Sequence, residues 1–244
     1  MNDGYSALGG KFEYLNSDCD YEKWSQYLIN TLEGLGAGPR GIDIGCGNGY
    51  FTRALYRAGK EMCGTDISPE MLTRARELAA AEGVRAEFLL GDITKLKYSG
   101  RADFAEAVNA CLNYVPPQKL HAAFSRVRAC LKKGGAFVFD ISTAYKLKNV
   151  LGDNLFADDG EDITWLWFNK WKGDRVEMDI TVFTRQQDGL FSRADERQVQ
   201  YAHEIPTVES CLEGAGFKVL RTEGHLGEEL KEDSLRANFI CLAV

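Results

Sequence analysis

From Arg40 onward, short apolar runs alternate with longer stretches in which apolar residues recur every three or four positions. That rhythm is the mark of strands and helices taking turns in a parallel α/β sheet. It predicts strands at Arg40 to Ile44, Glu61 to Asp66, Ala86 to Gly91, Phe104 to Val108 and Gly135 to Ile141, with helices at Tyr50 to Ala58, Pro69 to Ala81 and Pro117 to Leu131. Ser68-Pro69-Glu70 gives the second of these helices an N-cap, a proline at its first position and an acid in its first turn. Lys132-Lys133-Gly134-Gly135 reads as the C-terminal end of the third, with cations and glycine where the helix dipole ends. Before Arg40, Tyr21, Trp24 and Leu28 share one face of a helix that Asp20 can cap.

After Ile141 the rhythm changes. Ile163 to Trp171, Arg175 to Arg185 and Leu190 to His203 are strand-like and are joined at Lys172-Gly173-Asp174 and Gln187-Asp188-Gly189, both hairpin-compatible. A three-stranded antiparallel meander is expected, with Val176, Met178, Ile180 and Val182 on its buried face. Asp158, Asp159, Glu161 and Asp162 read as a solvated turn before it. The α/β pattern returns with a helix from Thr207 to Gly214 and strands at Phe217 to Thr222 and Arg236 to Val244, so the meander is an insertion.

A chain of 244 residues, 45% of them hydrophobic, can bury one large core. A net charge of −7 with no basic run argues against a nucleic-acid partner and for a small molecule. The seven cysteines are scattered without a C-x-x-C pair, so neither a disulfide framework nor a metal site is expected. No stretch reaches the roughly 20 apolar residues of a membrane span, and no charged-then-apolar leader stands at the N-terminus. A cytoplasmic protein with no membrane partner, monomeric or a homodimer, is the expectation.

Ligands of open parallel sheets bind beyond the carboxyl ends of the strands. Four loops end there: Gly45 to Gly49, the segment from Asp66, Gly91-Asp92, and Asn109 to Tyr114. Glycines at 45, 47 and 49 let a ligand approach the backbone itself. A dinucleotide fingerprint would place its third glycine where Tyr50 stands, and Asp43 before the loop suits an ammonium group better than a pyrophosphate. Asp66 is placed to accept hydrogen bonds from two ribose hydroxyls, Ser68 having taken the capping position.

These residues resemble the class I S-adenosylmethionine-dependent methyltransferases. The acid-x-Gly-x-Gly-x-Gly loop is matched by Asp43, Gly45, Gly47 and Gly49, the acid ending the second strand by Asp66, the Gly-Asp-Ile segment by Gly91-Asp92-Ile93, and the lead-in to the fifth strand by Leu131 to Gly135. A bacterial branch with a Tyr-x-x-Trp helix, a Leu-Asn-Tyr segment and a β-meander insertion is similar through Tyr21 to Trp24 and Leu112-Asn113-Tyr114. The resemblance implies a seven-stranded Rossmann-like sheet, its last strand antiparallel, with helices on both faces. Residues 1–38 would form a helical lid, 39–142 and 206–244 the cofactor domain, and 143–205 an acceptor-side cap. It implies S-adenosylmethionine as cofactor, with S-adenosylhomocysteine as its product. The cofactor residues would be Tyr14, Tyr21, Trp24, Asp43, Gly45, Cys46, Gly47, Asn48 and Gly49 on one side, and Asp66, Ile67, Met71, Gly91, Asp92, Ile93, Asn109 and Tyr114 on the other.

Methyl transfer from a sulfonium needs alignment and exclusion of water more than a dedicated base. If a base acts, Tyr145 and His203 are the candidates; His121 and His225 read as surface or structural residues. Trp165, Trp167 and Trp171 either pack the meander or line an acceptor pocket. Two other readings share the fold: a cofactor-binding regulatory subunit and an NAD-dependent oxidoreductase. The acceptor is not legible.

Overall fold

The computed structural model describes residues 20–98 and 101–244. A seven-stranded sheet forms its centre, built from β1 (Arg40–Ile44), β2 (Glu61–Asp66), β3 (Glu87–Leu90), β4 (Ala102–Ala107), β5 (Leu131–Ser142), β10 (Phe217–Glu223) and β11 (Arg236–Ala243). Their order is β3-β2-β1-β4-β5-β11-β10, with β1 to β5 parallel and β11 antiparallel to both of its neighbours. The order reverses between β1 and β4, so the loops after those two strands diverge around a crevice.

Helices cover both faces. On one side α1 (Tyr21–Gly34), α2 (Tyr50–Arg57) and α3 (Pro69–Ala81) bury Trp24, Leu28, Leu32, Leu55 and Leu72. On the other, α4 (Leu120–Cys130) and α5 (Ile205–Gly214) close over Phe137, Phe139 and Phe239. Phe139 and Phe239 stack at 4.8 Å between centroids and 6° between planes, which locks β5 to the antiparallel β11. Asp20 caps α1 by accepting from the Lys23 N–H, and Ser68 caps α3 by accepting from the Met71 N–H. The proline-led segment after β4 opens as a 3-10 turn, Pro117–Lys119, before α4 begins.

Two expectations are corrected. The inserted sheet has four strands in the order β6-β7-β8-β9: β6 (Leu155–Asp159), β7 (Ile163–Trp171), β8 (Arg175–Arg185) and β9 (Phe191–Tyr201). Asp158 and Asp159, read from sequence as part of a turn, belong to β6 and pair with Trp165 and Thr164; only Gly160 to Asp162 turn the chain. Five residues, two of them acids, give too little apolar alternation to announce an edge strand. The Lys132 to Gly135 stretch lies inside β5 rather than at a helix end, with Gly134 at φ +78° and a register shift opposite Ala102 to Phe104.

Phe139 is fully buried among aromatic neighbours. Phe139→Ala is expected to cost about 3–5 kcal/mol of stability, read as a lower urea midpoint at unchanged m-value.

Candidate functional site

Four buried acids line the carboxyl ends of four neighbouring strands: Asp140 of β5, Glu106 of β4, Asp43 of β1 and Asp66 of β2. Each is held differently, and the loops of the crevice take their shape from how each is held. Asp66 accepts from the Gly47 N–H at 2.8 Å through one oxygen and from the Ser68 N–H at 2.8 Å through the other. Burial pushes its carboxyl upward against these stabilising backbone donors. Each oxygen retains a lone pair for a ligand hydroxyl.

The glycine loop is fixed by contacts that tolerate no side chain. Gly45 has φ +73°, and a Cβ there would stand 2.3 Å from the Cys111 Sγ. Gly49 has φ +74° as the N-cap of α2, and a Cβ there would meet the Phe88 ring at 2.7 Å. The N–H groups of Gly45 and Cys46 both donate to the Thr65 carbonyl, at 2.7 and 2.9 Å. Arg53, itself buried, donates to the Asn48 carbonyl at 2.6 Å and pairs with Glu82 at 2.9 Å, which ties the loop to the end of α3. Tyr21 lies 4.6 Å from Tyr50 between ring centroids, so α1 leans on the helix that follows the loop.

Asp43 and Glu106 face each other in register on β1 and β4. Asp43 accepts from the Thr52 hydroxyl at 2.5 Å, and Glu106 accepts from the Val108 N–H at 3.3 Å. Burial drives both carboxyls upward, Asp43 to about 6 against the lowering effect of the Thr52 hydroxyl and Glu106, while the charge of Asp43 raises Glu106 beyond the effect of burial. A pair so raised favours retention of a proton, and Glu106 Oε1 has no hydrogen-bond partner among the described residues, so a protonated Glu106 would donate to Asp43.

The loop after β4 is strained. Asn109 and Ala110 occupy left-handed backbone at φ 64° and 63°, at a cost of about 1–2 kcal/mol for each residue that is not glycine. Asp140 offsets it by accepting from the Ala110 N–H at 3.1 Å and pairing with Arg236, whose second terminal nitrogen donates to Asn109 Oδ1 at 2.9 Å. Arg236 also lies 5.8 Å from the Trp24 ring centroid, and Trp24 packs edgewise on His225 at 5.4 Å. Helix α1 is thereby joined to the strained loop.

Residues 42–135 match the family described as Methyltransferase domain. A protein of Geobacillus sp. (strain WCH70) named as a methyltransferase is 29% identical over 97% of this chain and 98% of its own. The structure of an S-adenosylmethionine-dependent methyltransferase from Clostridium acetobutylicum ATCC 824 superposes with a TM-score of 0.89 at 27% identity, over 95% of each chain. The chain carries a methyltransferase domain and is similar over nearly its whole length to S-adenosylmethionine-dependent methyltransferases. CalS10 of Micromonospora echinaspora, an amino pentose methyltransferase solved with S-adenosylmethionine bound, shares the fold at 15% identity and a TM-score of 0.76, over 96% of each chain. No helix among the described residues is long and apolar enough to cross a membrane.

In this methyltransferase the sequence-predicted residues fall into three groups. Asp43 and Asp66 stand near the ends of β1 and β2, and Gly45, Cys46, Gly47, Asn48, Gly49, Ile67, Gly91, Asp92, Ile93 and Asn109 on the segments that follow the strands at the carboxyl edge. Ile67 is 47% exposed there, an apolar side chain open to a flat ligand face. Asp92 accepts from the Thr94 N–H and hydroxyl through the same oxygen, at 2.8 and 2.7 Å. Tyr21, Trp24 and Met71 are packed behind this edge, Trp24 and Met71 being almost fully buried. Tyr14 lies outside the described residues.

Two residues stand elsewhere. The Tyr114 hydroxyl points to β9, where it donates to Gln198 Oε1 at 2.9 Å and accepts from Gln200 Nε2 at 3.0 Å. His203, a candidate base from sequence, is 3% exposed with its Nε2 at 3.1 Å from the Leu112 carbonyl, and burial lowers its pKa. A neutral imidazole donating to a carbonyl pins the end of the insertion to the turn Cys111–Tyr114 and is not placed to take a substrate proton. Tyr145 is 40% exposed just beyond β5.

Glu106, Asp140 and Arg236 were not anticipated. The available signal was a solitary acid inside an otherwise apolar strand, as in Phe104 to Val108 and Phe137 to Ile141. The raised carboxyls of Asp43 and Glu106 yield a pH signature. The folded state holds protons that the unfolded chain releases near pH 4, so the pair's contribution makes stability fall as pH rises from about 4 to about 6. Glu106→Gln keeps a donor to Asp43 but removes one charge, so its stability should fall less than that of the wild type across that window in urea titrations. Parallel curves for the two proteins would rule out a shared proton.

Proposed function

We propose that this enzyme moves the methyl group of S-adenosylmethionine to a small-molecule acceptor seated between the crevice and the inserted sheet. The observation that carries this reading is the single turn Cys111–Tyr114, which touches both sides. Asn113 is fully buried; its amide donates to the carbonyls of Ser142 and Tyr201 at 3.0 and 2.9 Å and accepts from the Ser142 N–H at 2.8 Å. Tyr114 and His203 add three more bonds between that turn and the end of β9. The insertion is therefore held at a fixed distance from the cofactor loops, as positioning of two reactants requires.

The fit to the cofactor rests on chemistry already described. In this reading Gly45 to Gly49 hold the methionine portion, and the charge that Asp43 keeps within its shared-proton pair favours the ammonium. Asp66 accepts from the ribose hydroxyls, Ile67 lies against the adenine, and Asp92 meets its exocyclic amine through the oxygen not committed to Thr94. Helix α1, which leans on α2 through Tyr21, closes the edge as a lid. When bound, S-adenosylmethionine supplies a methyl that the acceptor's lone pair takes in line as the carbon–sulfur bond breaks and its electron pair stays on sulfur. The chain's own contribution is alignment and exclusion of water, about several kcal/mol of the barrier. No side chain is assigned as base. A cytoplasmic setting and a monomer or homodimer complete the reading.

Asp66→Asn is expected to weaken S-adenosylhomocysteine binding about ten- to hundredfold, the loss of one charge-assisted hydrogen bond. Calorimetry measures the affinity and circular dichroism checks the fold. Unchanged affinity would remove Asp66 from the cofactor site, and absence of any binding by the wild type would remove the cofactor.

A further inference from the structure

The loop after β4 carries one polar side chain that is held at one end and open at the other. Arg236 donates to Asn109 Oδ1 at 2.9 Å and pairs with the fully buried Asp140, while its guanidinium lies 5.8 Å from the Trp24 ring centroid. A guanidinium has donors only, so this contact fixes which corner of the amide is oxygen and which is nitrogen. Nδ2, with its two N–H groups, makes no hydrogen bond among the described residues and is not one of the buried atoms left without a partner. Asn109 is half-buried, so the amide turns its donors toward the open side of the strand edge.

The place of this amide gives its donors a use. Cys111, two residues on, lies against the glycine loop: a Cβ on Gly45 would stand 2.3 Å from its Sγ. The turn that Cys111 begins fastens the inserted sheet through Asn113 and Tyr114. Asn109 therefore stands between the loop assigned to the methionine portion of the cofactor and the sheet assigned to the acceptor, where the methyl group has to cross. Backbone support does not account for the side chain. Glycine takes the left-handed conformation of Asn109, φ 64°, at no steric cost, and the Arg236 bond engages only the oxygen.

Donors at that point discriminate between nucleophiles. A neutral amine has one lone pair, and a pair that accepts a hydrogen bond is not available to attack. An ammonium has donors only and would set N–H against N–H. A hydroxyl oxygen has two lone pairs, one for the amide and one for the methyl carbon.

We propose that the Asn109 amide donates to the incoming nucleophile of the methyl acceptor and that this nucleophile is an oxygen rather than an amine nitrogen. The proposal rests on the reading of the crevice as the S-adenosylmethionine site. One oxygen lone pair forms the new carbon–oxygen bond as the carbon–sulfur bond breaks and its electron pair stays on sulfur; the second keeps the hydrogen bond to Nδ2, and the hydroxyl proton passes to water. Sinefungin bears an amine on the carbon that replaces the sulfonium, so it sets N–H donors where the methyl group would be, whereas S-adenosylhomocysteine has no group there. Calorimetry in about 0.5 M sodium chloride, which screens a charge that is merely nearby, gives the ratio of their affinities. Asn109→Asp keeps the shape, tolerates the left-handed backbone and leaves Arg236 a partner. It should raise sinefungin relative to S-adenosylhomocysteine about tenfold or more, the gain of a charge-assisted hydrogen bond. Asn109→Gly, which removes the opposed donor and relaxes the backbone, should raise it about threefold. The protein saturated with S-adenosylhomocysteine is then titrated with benzyl alcohol and benzylamine, and the Asn109 side-chain N–H resonances, identified by their loss in Asn109→Asp, are followed by NMR. Benzyl alcohol should shift them with a dissociation constant at least about threefold below that of benzylamine. A ratio within about twofold of the wild type's in either variant, no shift with either probe, or equal or tighter binding of benzylamine overturns the proposal. Failure of the wild type to bind S-adenosylhomocysteine would overturn the cofactor reading instead.

Discussion

Four carboxyl groups buried side by side at the edge of one sheet constrain everything around them. An isolated buried carboxylate is expensive, so each must find donors or keep its proton. Asp66 takes two backbone N–H groups, and one of them belongs to Gly47, so holding the acid also holds the glycine loop. Asp140 takes the Ala110 N–H and the Arg236 guanidinium, and this holds two left-handed residues in the loop after β4. Asp43 and Glu106 have fewer donors, and burial raises both carboxyls toward the protonated form instead. The crevice is thus shaped before a ligand enters, and its charge is graded from the paired Asp140 to the half-neutralised pair to the two-donor Asp66.

The same edge explains why the insertion is rigidly placed. A β-sheet attached by two chain segments could swing, but the turn Cys111–Tyr114 fastens β9 through Asn113, Tyr114 and His203. That turn begins at Ala110, whose conformation depends on Asp140. The position of the inserted sheet is therefore coupled through one buried acid to the strand edge that carries the glycine loop and Asp66. Burial of His203 serves the attachment, since a charged imidazole there would be desolvated and the neutral ring suffices as donor.

Much of this was legible in the chain. The alternation of apolar runs with helical spacing located the strands of the main sheet to within a few residues, because strands buried on both faces write uninterrupted apolar runs. Gly45, Gly47, Gly49 and Asp66 were legible for a different reason: positive φ and close approach admit little besides glycine, and an acid ending a strand has few structural excuses. Glu106 and Asp140 were hidden because a lone acid in an apolar run gains its meaning only from the strand beside it. Asp43 and Glu106 are 63 residues apart in sequence but in register in the sheet. Arg236 was hidden for the same reason. The strand Leu155–Asp159 was missed because an exposed edge strand needs no alternation.

The inserted sheet shows where sequence pattern and site chemistry part company. Alternation in Val176 to Val182 identified a buried face correctly, but it could not separate a face that is merely packed from one that binds. The distinction lies in the neighbours across the register. Three apolar residues on β8 face tryptophans and an asparagine on β7 and a carboxylate and two glutamines on β9, an arrangement that no single strand reveals. A core strand buried for packing alone would be flanked by apolar partners on both sides. Here the polar flank is continuous with the turn Cys111–Tyr114, so the inserted sheet and the edge that carries the glycine loop are parts of one hydrogen-bonded framework.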